Sequence, residues 1–298
     1  MAKIRKLVYG IYPKREELRI KIGRWERKSI GTAELSDIIR RETDIAVDKF
    51  RDNGIDLFTD PLFNWYDLFR PLLLSFGGVK IGPLTRLDET NTFYRLPLID
   101  NLGEITHSPA EFAEIEDNPP LPLYHSAGSS NLAFLPGPFT VLNMSKLPLG
   151  SEKNALLSKL ASLYKEIMGM SGYKKAFIFE YNPGSLDSPD IYGRIAEPAN
   201  IYLYLRGKIN AASFKKTRSK FGSIIVSPRE NDLNGISRFC ETPGIQAVDS
   251  HTTRVETEEE VLSVVPETLN EAIVTHIDYM DFLPRAIADQ KVELLGRL

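Results

Sequence analysis

Short apolar runs recur along the chain at intervals that leave room for helices between them. Eight have strand length: KLVYGIY (6–12), IDLF (55–58), LAFL (132–135), KAFIFE (175–180), NIYLYL (200–205), SIIVS (223–227), IQAV (245–248) and AIVTH (272–276). Most are continuously apolar, as expected of strands in a parallel sheet covered on both faces. Between them lie helical patterns. In NALLSKLASLYKEIMGM (154–170), Leu156, Leu160, Leu163 and Ile167 fall at three- and four-residue spacing and make one apolar stripe. Ser151 is the expected N-cap of this helix and Gly172 marks its stop. A second helix, AELSDIIRRETDIAVDKFRDNG (33–54), ends at Gly54 directly before IDLF. A third, TEEEVLSVVPETLNEA, carries acidic residues in its first turn and is bent or interrupted at Pro266.

This alternation predicts an α/β fold, a (β/α)8 TIM barrel, as a single domain over residues 1–298. Residues 76–131 break the rhythm, being too long for a simple helical return and rich in proline and glycine. They are read as an insertion after strand 2, with a hairpin around VKIGPLTRL and a surface loop at DNPPLPLYHSAGSS.

Composition fits that picture. The chain has 298 residues, 42% hydrophobic and 26% charged, enough for a barrel of roughly 250 residues. No run reaches the roughly 18 apolar residues of a membrane helix, and MAKIRKLVYGIYP lacks the apolar length of a signal peptide. A single cysteine, Cys240, rules out an internal disulfide and suits a reducing compartment, so a cytoplasmic location is expected. With a net charge of −3 and no long basic run, a nucleic-acid partner is not expected, and KKTRSK (215–220) reads as a solvated helix face.

Functional groups of such a barrel collect where its strands end at their C-terminal side. Tyr12, Lys14 and Arg15 follow the first strand and Asp60 the second. Glu180 and Asn182 follow the fourth, Arg206 the fifth, and Arg229 and Glu230 the sixth. Asp249 and His251 follow the seventh, and His276 and Asp278 the eighth. Two histidines among acids could bind a metal or transfer protons. On an extended chain His276 and Asp278 face the same way. Each residue also has a structural role open to it. His276 could cap a strand end, Asp249 could organise the turn in AVDSHTTRVE, and Glu180 could pair with Arg206. Cys240 reads as a lone loop or core thiol. No nucleophile elbow, P-loop, GxGxxG or HExxH is present.

Several motifs in order resemble the cobalamin-independent methionine synthase family. YPKREELRIKIGRWERKSIGTAELSDIIR is similar to the family's N-terminal opening, PxxxxRELKKAxExYWxGxISxEEL. NGIDLFTDPLFNWYDLF resembles AGIDLxPxGDFxxYDxVL, and ETNTFYRLP resembles FxTNYHYxVPE. AFLPGPFTVLNMSK resembles PVLLGPVTxLxLSK, and GYKKAFIFEYNP loosely matches GxxWVQIDEP. TPGIQAVDSHTTRVETEEEV is similar to GxGVxDxHSxxVESxEEV, and AIVTHIDYMDFLPR to VNPDCGLKxLP. The family has two related barrels in one chain, with the catalytic zinc in the C-terminal one. The zinc barrel's HMCY corresponds here to a segment with Tyr202 and Tyr204, and its last cysteine to Asp278. With Cys240 alone, a thiolate-rich zinc site cannot be assembled, so no metal site is expected in this chain.

The resemblance implies an N-terminal-type, zinc-less barrel. It would assist methyl transfer from methyl-tetrahydrofolate, or another methyl carrier, to homocysteine, alongside a separate zinc-bearing catalytic barrel. Cofactors bound tightly by this chain are not expected. The family's RELK segment, which contacts the folate's glutamate tail, falls on Glu16 to Arg19. Lys14, Arg15 and Arg19 are therefore binding candidates, with Asn91 and Tyr94 from ETNTFYRLP. Two other readings stay open. One is a self-sufficient methyltransferase or lyase using Glu180, Asp249, His251, His276 and Asp278. The other is a non-catalytic folate- or methionine-binding regulatory barrel.

Overall fold

The computed structural model describes residues 2–87, 93–106, 124, 131–184, 186–217 and 219–298. Eight parallel strands close into a barrel. They are β1 (Lys3–Val8), β2 (Leu57–Thr59), β5 (Asn131–Pro136), β6 (Ala176–Glu180), β7 (Ile201–Leu205), β8 (Ser223–Val226), β9 (Gly244–Asp249) and β10 (Glu271–Ile277). Around the barrel the order is β1-β10-β9-β8-β7-β6-β5-β2. These are the eight runs of the sequence pattern, and every residue of β2, β5, β6, β7 and β8 is buried. The first strand begins and ends earlier than its apolar run. It pairs from Lys3 and stops at Val8, because Gly10 turns the chain with φ +77°.

Between β2 and β5, β3 (Val79–Arg86) and β4 (Phe93–Ile99) pair antiparallel as a separate two-stranded sheet. The expected hairpin is present, and VKIGPLTR is its first strand. The expected surface loop at 117–130 lies outside the described residues, apart from Tyr124, whose hydroxyl donates to the Phe134 carbonyl at 2.7 Å.

The main helices are α1 (Glu16–Glu26), α2 (Thr32–Asp52), α3 (Pro138–Asn143), α4 (Lys153–Ser171), α5 (Leu233–Ile236), α6 (Glu258–Leu262) and α7 (Arg285–Arg297). α4 buries Leu157, Leu160, Leu163, Tyr164 and Ile167, and Gly172 ends it at φ 71°. Its N-cap is Glu152; the Ser151 hydroxyl is turned back onto the Pro148 carbonyl at 2.7 Å and caps nothing. α6 stops at Leu262, four residues before Pro266, and starts with a capping box between Thr257 and Glu260.

Two packed layers follow from this arrangement. Leu35, Ile39, Val47 and Phe50 of α2 join Val292 and Leu295 of α7 against Val8, Phe58 and Val274 of the barrel wall. Inside, aromatic rings from different strands fill the lumen. Tyr9 stacks between Phe177 at 4.3 Å and His276 at 4.2 Å, and Phe179 lies 4.7 Å from Tyr204. Bulky rings at alternate positions leave a packed core rather than a pore.

Candidate functional site

The strands set which side chains reach the mouth. On β6 the rings of Phe177 and Phe179 meet Tyr9 and Tyr204 across the lumen, so Glu180, the next residue, points to the helix layer. There its carboxylate is fully buried. It accepts from the Phe139 amide (3.1 Å), the Thr140 amide (2.7 Å), the Thr140 hydroxyl (2.6 Å) and the Tyr192 hydroxyl (2.8 Å). Burial raises its pKa, against the lowering effect of these donors. The arrangement fastens the first turn of α3 and the 189–194 helix to the barrel. Gly137 makes room for it, since a Cβ there would sit 2.0 Å from the Glu180 Cδ. The expected partner, Arg206, turns instead to Asp278 and lies over the Tyr181 ring at 4.2 Å.

His276 and Asp278 do not share a face. β10 ends at Ile277, and Asp278 takes a left-handed φ of 45° that breaks the strand alternation. The tight turn lets the His276 Nδ1–H donate to the Asp278 carbonyl at 2.5 Å. The Tyr9 amide donates to Nε2 at 3.2 Å, so both ring nitrogens are used. Burial pushes the pKa of His276 down to about 4, and the ring is neutral at pH 7. A histidine with both nitrogens committed in the packed lumen has no free lone pair for a metal and no proton to pass to a substrate.

The Asp278 side chain takes part in a different set. Its Oδ1 accepts from the Tyr204 hydroxyl at 3.2 Å, and its amide donates to the same hydroxyl oxygen at 3.0 Å. Its Oδ2 lies 3.0 Å from His251 Nε2 and 3.5 Å from Arg206 Nε. Asp249 lies on the other side of the imidazole, with Oδ1 3.3 Å from Nδ1. Asp249 also accepts the His251 amide at 2.9 Å, a turn typical of aspartate. Asp278 raises the His251 pKa, chiefly through the hydrogen bond and with help from Asp249. The Asp278 carboxylate is buried, while the side chains of His251 and Arg206 are 40% and 30% exposed. Ends of β7, β9 and β10 thus meet in one polar cluster at the mouth. It has a carboxylate at its base and a guanidinium and an imidazole at its rim.

A second group gathers at the exits of β1, β2 and β10. Lys14, half-buried after β1, donates to the Trp65 carbonyl at 3.3 Å. Burial lowers its pKa, and burial raises that of Asp281, whose carboxylate acts on it. Tyr279, between Asp278 and Asp281 in the chain, is buried. It packs on Phe179 at 5.7 Å and sits so close over Gly10 that a Cβ there would come within 2.8 Å. Arg15 is engaged by Glu42 through both guanidinium and carboxylate, and Arg19 is exposed on α1. Tyr94 is buried in the hairpin, edge-on to Phe69 at 5.4 Å. Asn91 lies outside the described residues.

The structure therefore brings together Asp249, His251 and Asp278, packs the His276 ring into the lumen against Tyr9, and sends Glu180 elsewhere. Sequence reasoning passed over Asp281, Trp65 and Tyr9. Asp281 was visible as the acid before LPR, and Tyr9 as the polar tip of an apolar run. Among the described residues no three His, Cys, Asp or Glu side chains are grouped to hold a metal ion.

No known family model and no curated protein matches the sequence. Solved structures do. A B12-independent methionine synthase from Shewanella sp. W3-18-1, in complex with selenomethionine, superposes with a TM-score of 0.66. The match covers 99% of this chain and 96% of that one at 14% identity. A Listeria monocytogenes protein assigned as a vitamin-B12-independent methionine synthase gives a TM-score of 0.65, covering 97% and 95% at 14% identity. The likeness shows the fold.

Proposed function

We propose that the chain serves a methionine-synthase system as an N-terminal-type barrel without zinc. In this reading it assists transfer of a methyl group from methyl-tetrahydrofolate, or another methyl carrier, to homocysteine. A separate zinc-bearing barrel carries the reaction. Support comes from the order of the sequence motifs and from barrels of matching length in the two solved structures.

One observation carries the reading: Asp278, where the resemblance expects the last zinc thiolate, is fully engaged by Tyr204, His251 and Arg206. The donors present do not fit the zinc. Cys240 precedes β9 and pairs with Phe221 ahead of β8, at the opposite end of the barrel from the mouth. Burial there pushes its thiol up to about 11, far from the thiolate a zinc would take. An ion-paired aspartate and a tyrosine hold the wall in shape where a metal would otherwise tie the strands together. On this reading Lys14 and Arg19 face the anionic tail of the donor, with Asn91 as a further contact, while Tyr94, buried against Phe69, acts only by holding the hairpin. Arg15 takes part only by leaving Glu42.

The test is reconstitution. Purified chain is mixed with a zinc-bearing methionine synthase barrel, and methyl transfer to homocysteine and the Kd for the methyl donor are followed. A rise in rate or a tighter donor, weakened by Lys14→Ala, supports the proposal. If neither rate nor donor affinity changes on mixing, the proposal fails.

The exposed imidazole of His251 beside a buried carboxylate favours a second reading, a self-sufficient transferase or lyase with its acid–base group at His251. Turnover by the chain alone that is lost in His251→Ala and Asp278→Ala supports it. Absence of turnover with homocysteine and any methyl donor tried removes it.

A further inference from the structure

Behind His251 runs a chain of contacts that the mouth itself does not explain. Lys291, on α7, is completely buried, and its ammonium donates to the Arg254 carbonyl at 2.5 Å and to Glu256 Oε2 at 2.9 Å. The other oxygen of Glu256 accepts the Asp249 amide at 2.8 Å. Asp249 in turn fixes the backbone of His251 and faces its Nδ1. A buried lysine usually imposes a desolvation cost that apolar packing would avoid. Here it is spent on holding the segment 249–256 in one shape.

His251 gives that shape a consequence. Its Nε2 and Nδ1 face carboxylate oxygens of Asp278 and Asp249 at 3.0 and 3.3 Å. Only the doubly protonated ring donates on both sides. The groups around it are Asp249 on its own turn, Asp278 from the exit of β10, and Arg206 from the exit of β7. Arg206 opposes protonation, and Asp249 acts with Asp278 in favour of it.

We propose that Glu256 and Lys291 are positioning residues for His251: they clamp Asp249 so that the imidazole is bridged between two carboxylates at the barrel mouth. The inference goes beyond the methyl-transfer reading and does not depend on it.

The experiment follows the ring nitrogens of His251 by 15N NMR in the full-length chain across pH, with His251→Gln to assign the signal. Glu256→Gln combined with Lys291→Met keeps an oxygen acceptor for the Asp249 amide without setting an amide nitrogen against a buried ammonium, and should titrate as wild type. Glu256→Leu combined with Lys291→Met removes the pair while leaving no buried unpaired charge, and so should fold. In this double variant the His251 midpoint should fall by about half a unit or more, roughly threefold in the protonation equilibrium. Asp249→Asn should cause a similar fall, with no further fall when it is added to the double variant. Should the double variant not fold, Glu256→Ala combined with Lys291→Met is read in its place with the same expectation. The proposal is overturned if His251 titrates as wild type without the clamp. It is overturned equally if Glu256→Gln with Lys291→Met shifts it as far as Glu256→Leu with Lys291→Met, since loss of the buried charges rather than position would then be acting.

Discussion

Two histidines of the same barrel end respond to pH in opposite directions. His276 is neutral and buried, with its pKa lowered to about 4 from an ordinary value of 6.5. Between those values the unfolded chain binds a proton that the folded chain refuses, so stability falls as pH drops from 6.5 to 4. The full effect is on the order of 3 kcal/mol. Urea unfolding from pH 7 to pH 4 should show it. His276→Asn should be less stable at pH 7, having lost its bonds to Tyr9 and Asp278, but its stability should fall less steeply on acidification. Equal slopes in the two proteins would count against a neutral His276. His251 is raised, so its contribution is complete below pH 6.5 and fades as pH rises through its higher folded value. His251→Gln should therefore lower the urea midpoint more at pH 6 than at pH 9, by under about 1 kcal/mol because the ring is half exposed. At this scale the sequence was partly legible. The pair His276 and Asp278 drew attention because an extended chain aligns them, but the left-handed turn at Asp278 separates their roles. A positive φ at an aspartate has no signal in an apolar pattern.

Elements were more legible than the contacts joining them. Strands buried on both faces must be apolar throughout, which is why KAFIFE and NIYLYL could be found without any partner in view. Helix starts were harder, because α4 begins with no side-chain cap at all. The short α3 could not be read from periodicity, since six residues hold less than two turns. It is held by Glu180, and the clearest test of that is Gly137→Ala. The added methyl would collide with the carboxylate and push it off the Phe139 and Thr140 amides. Overpacking and the loss of buried hydrogen bonds together should cost about 2–4 kcal/mol in equilibrium unfolding. A change below about 0.5 kcal/mol, within the range of a neutral surface substitution, would mean Glu180 is not the anchor.

At the level of the whole molecule, the barrel closes where the two ends of the chain meet, with β1 between β10 and β2. Pairing of Lys3 with Glu271 and of Leu7 with Leu57 makes closure depend on segments far apart in sequence. α7 covers this seam. It buries Ala288, Val292, Leu294 and Leu295 against the layer containing Val8, Phe58 and Phe50, and Lys291 reaches from it to the loop behind the mouth. Burying side chains of that size is worth about 1.5–3 kcal/mol each, so the three larger ones alone approach the roughly 5–15 kcal/mol that separates a folded domain from its unfolded chain. A chain ending at Pro284 should therefore fail to close, losing its near-ultraviolet circular dichroism and its cooperative urea transition. A truncated chain that kept both would show that closure is carried by the strands alone and that α7 only decorates the wall. The same dependence explains why the site was only half readable in advance. The sequence lists the ends of β7, β9 and β10 tens of residues apart; pairing of β9 with β10 brings His251 to Asp278, and curling of the sheet into a barrel brings Tyr204 and Arg206 of β7 to the same carboxylate.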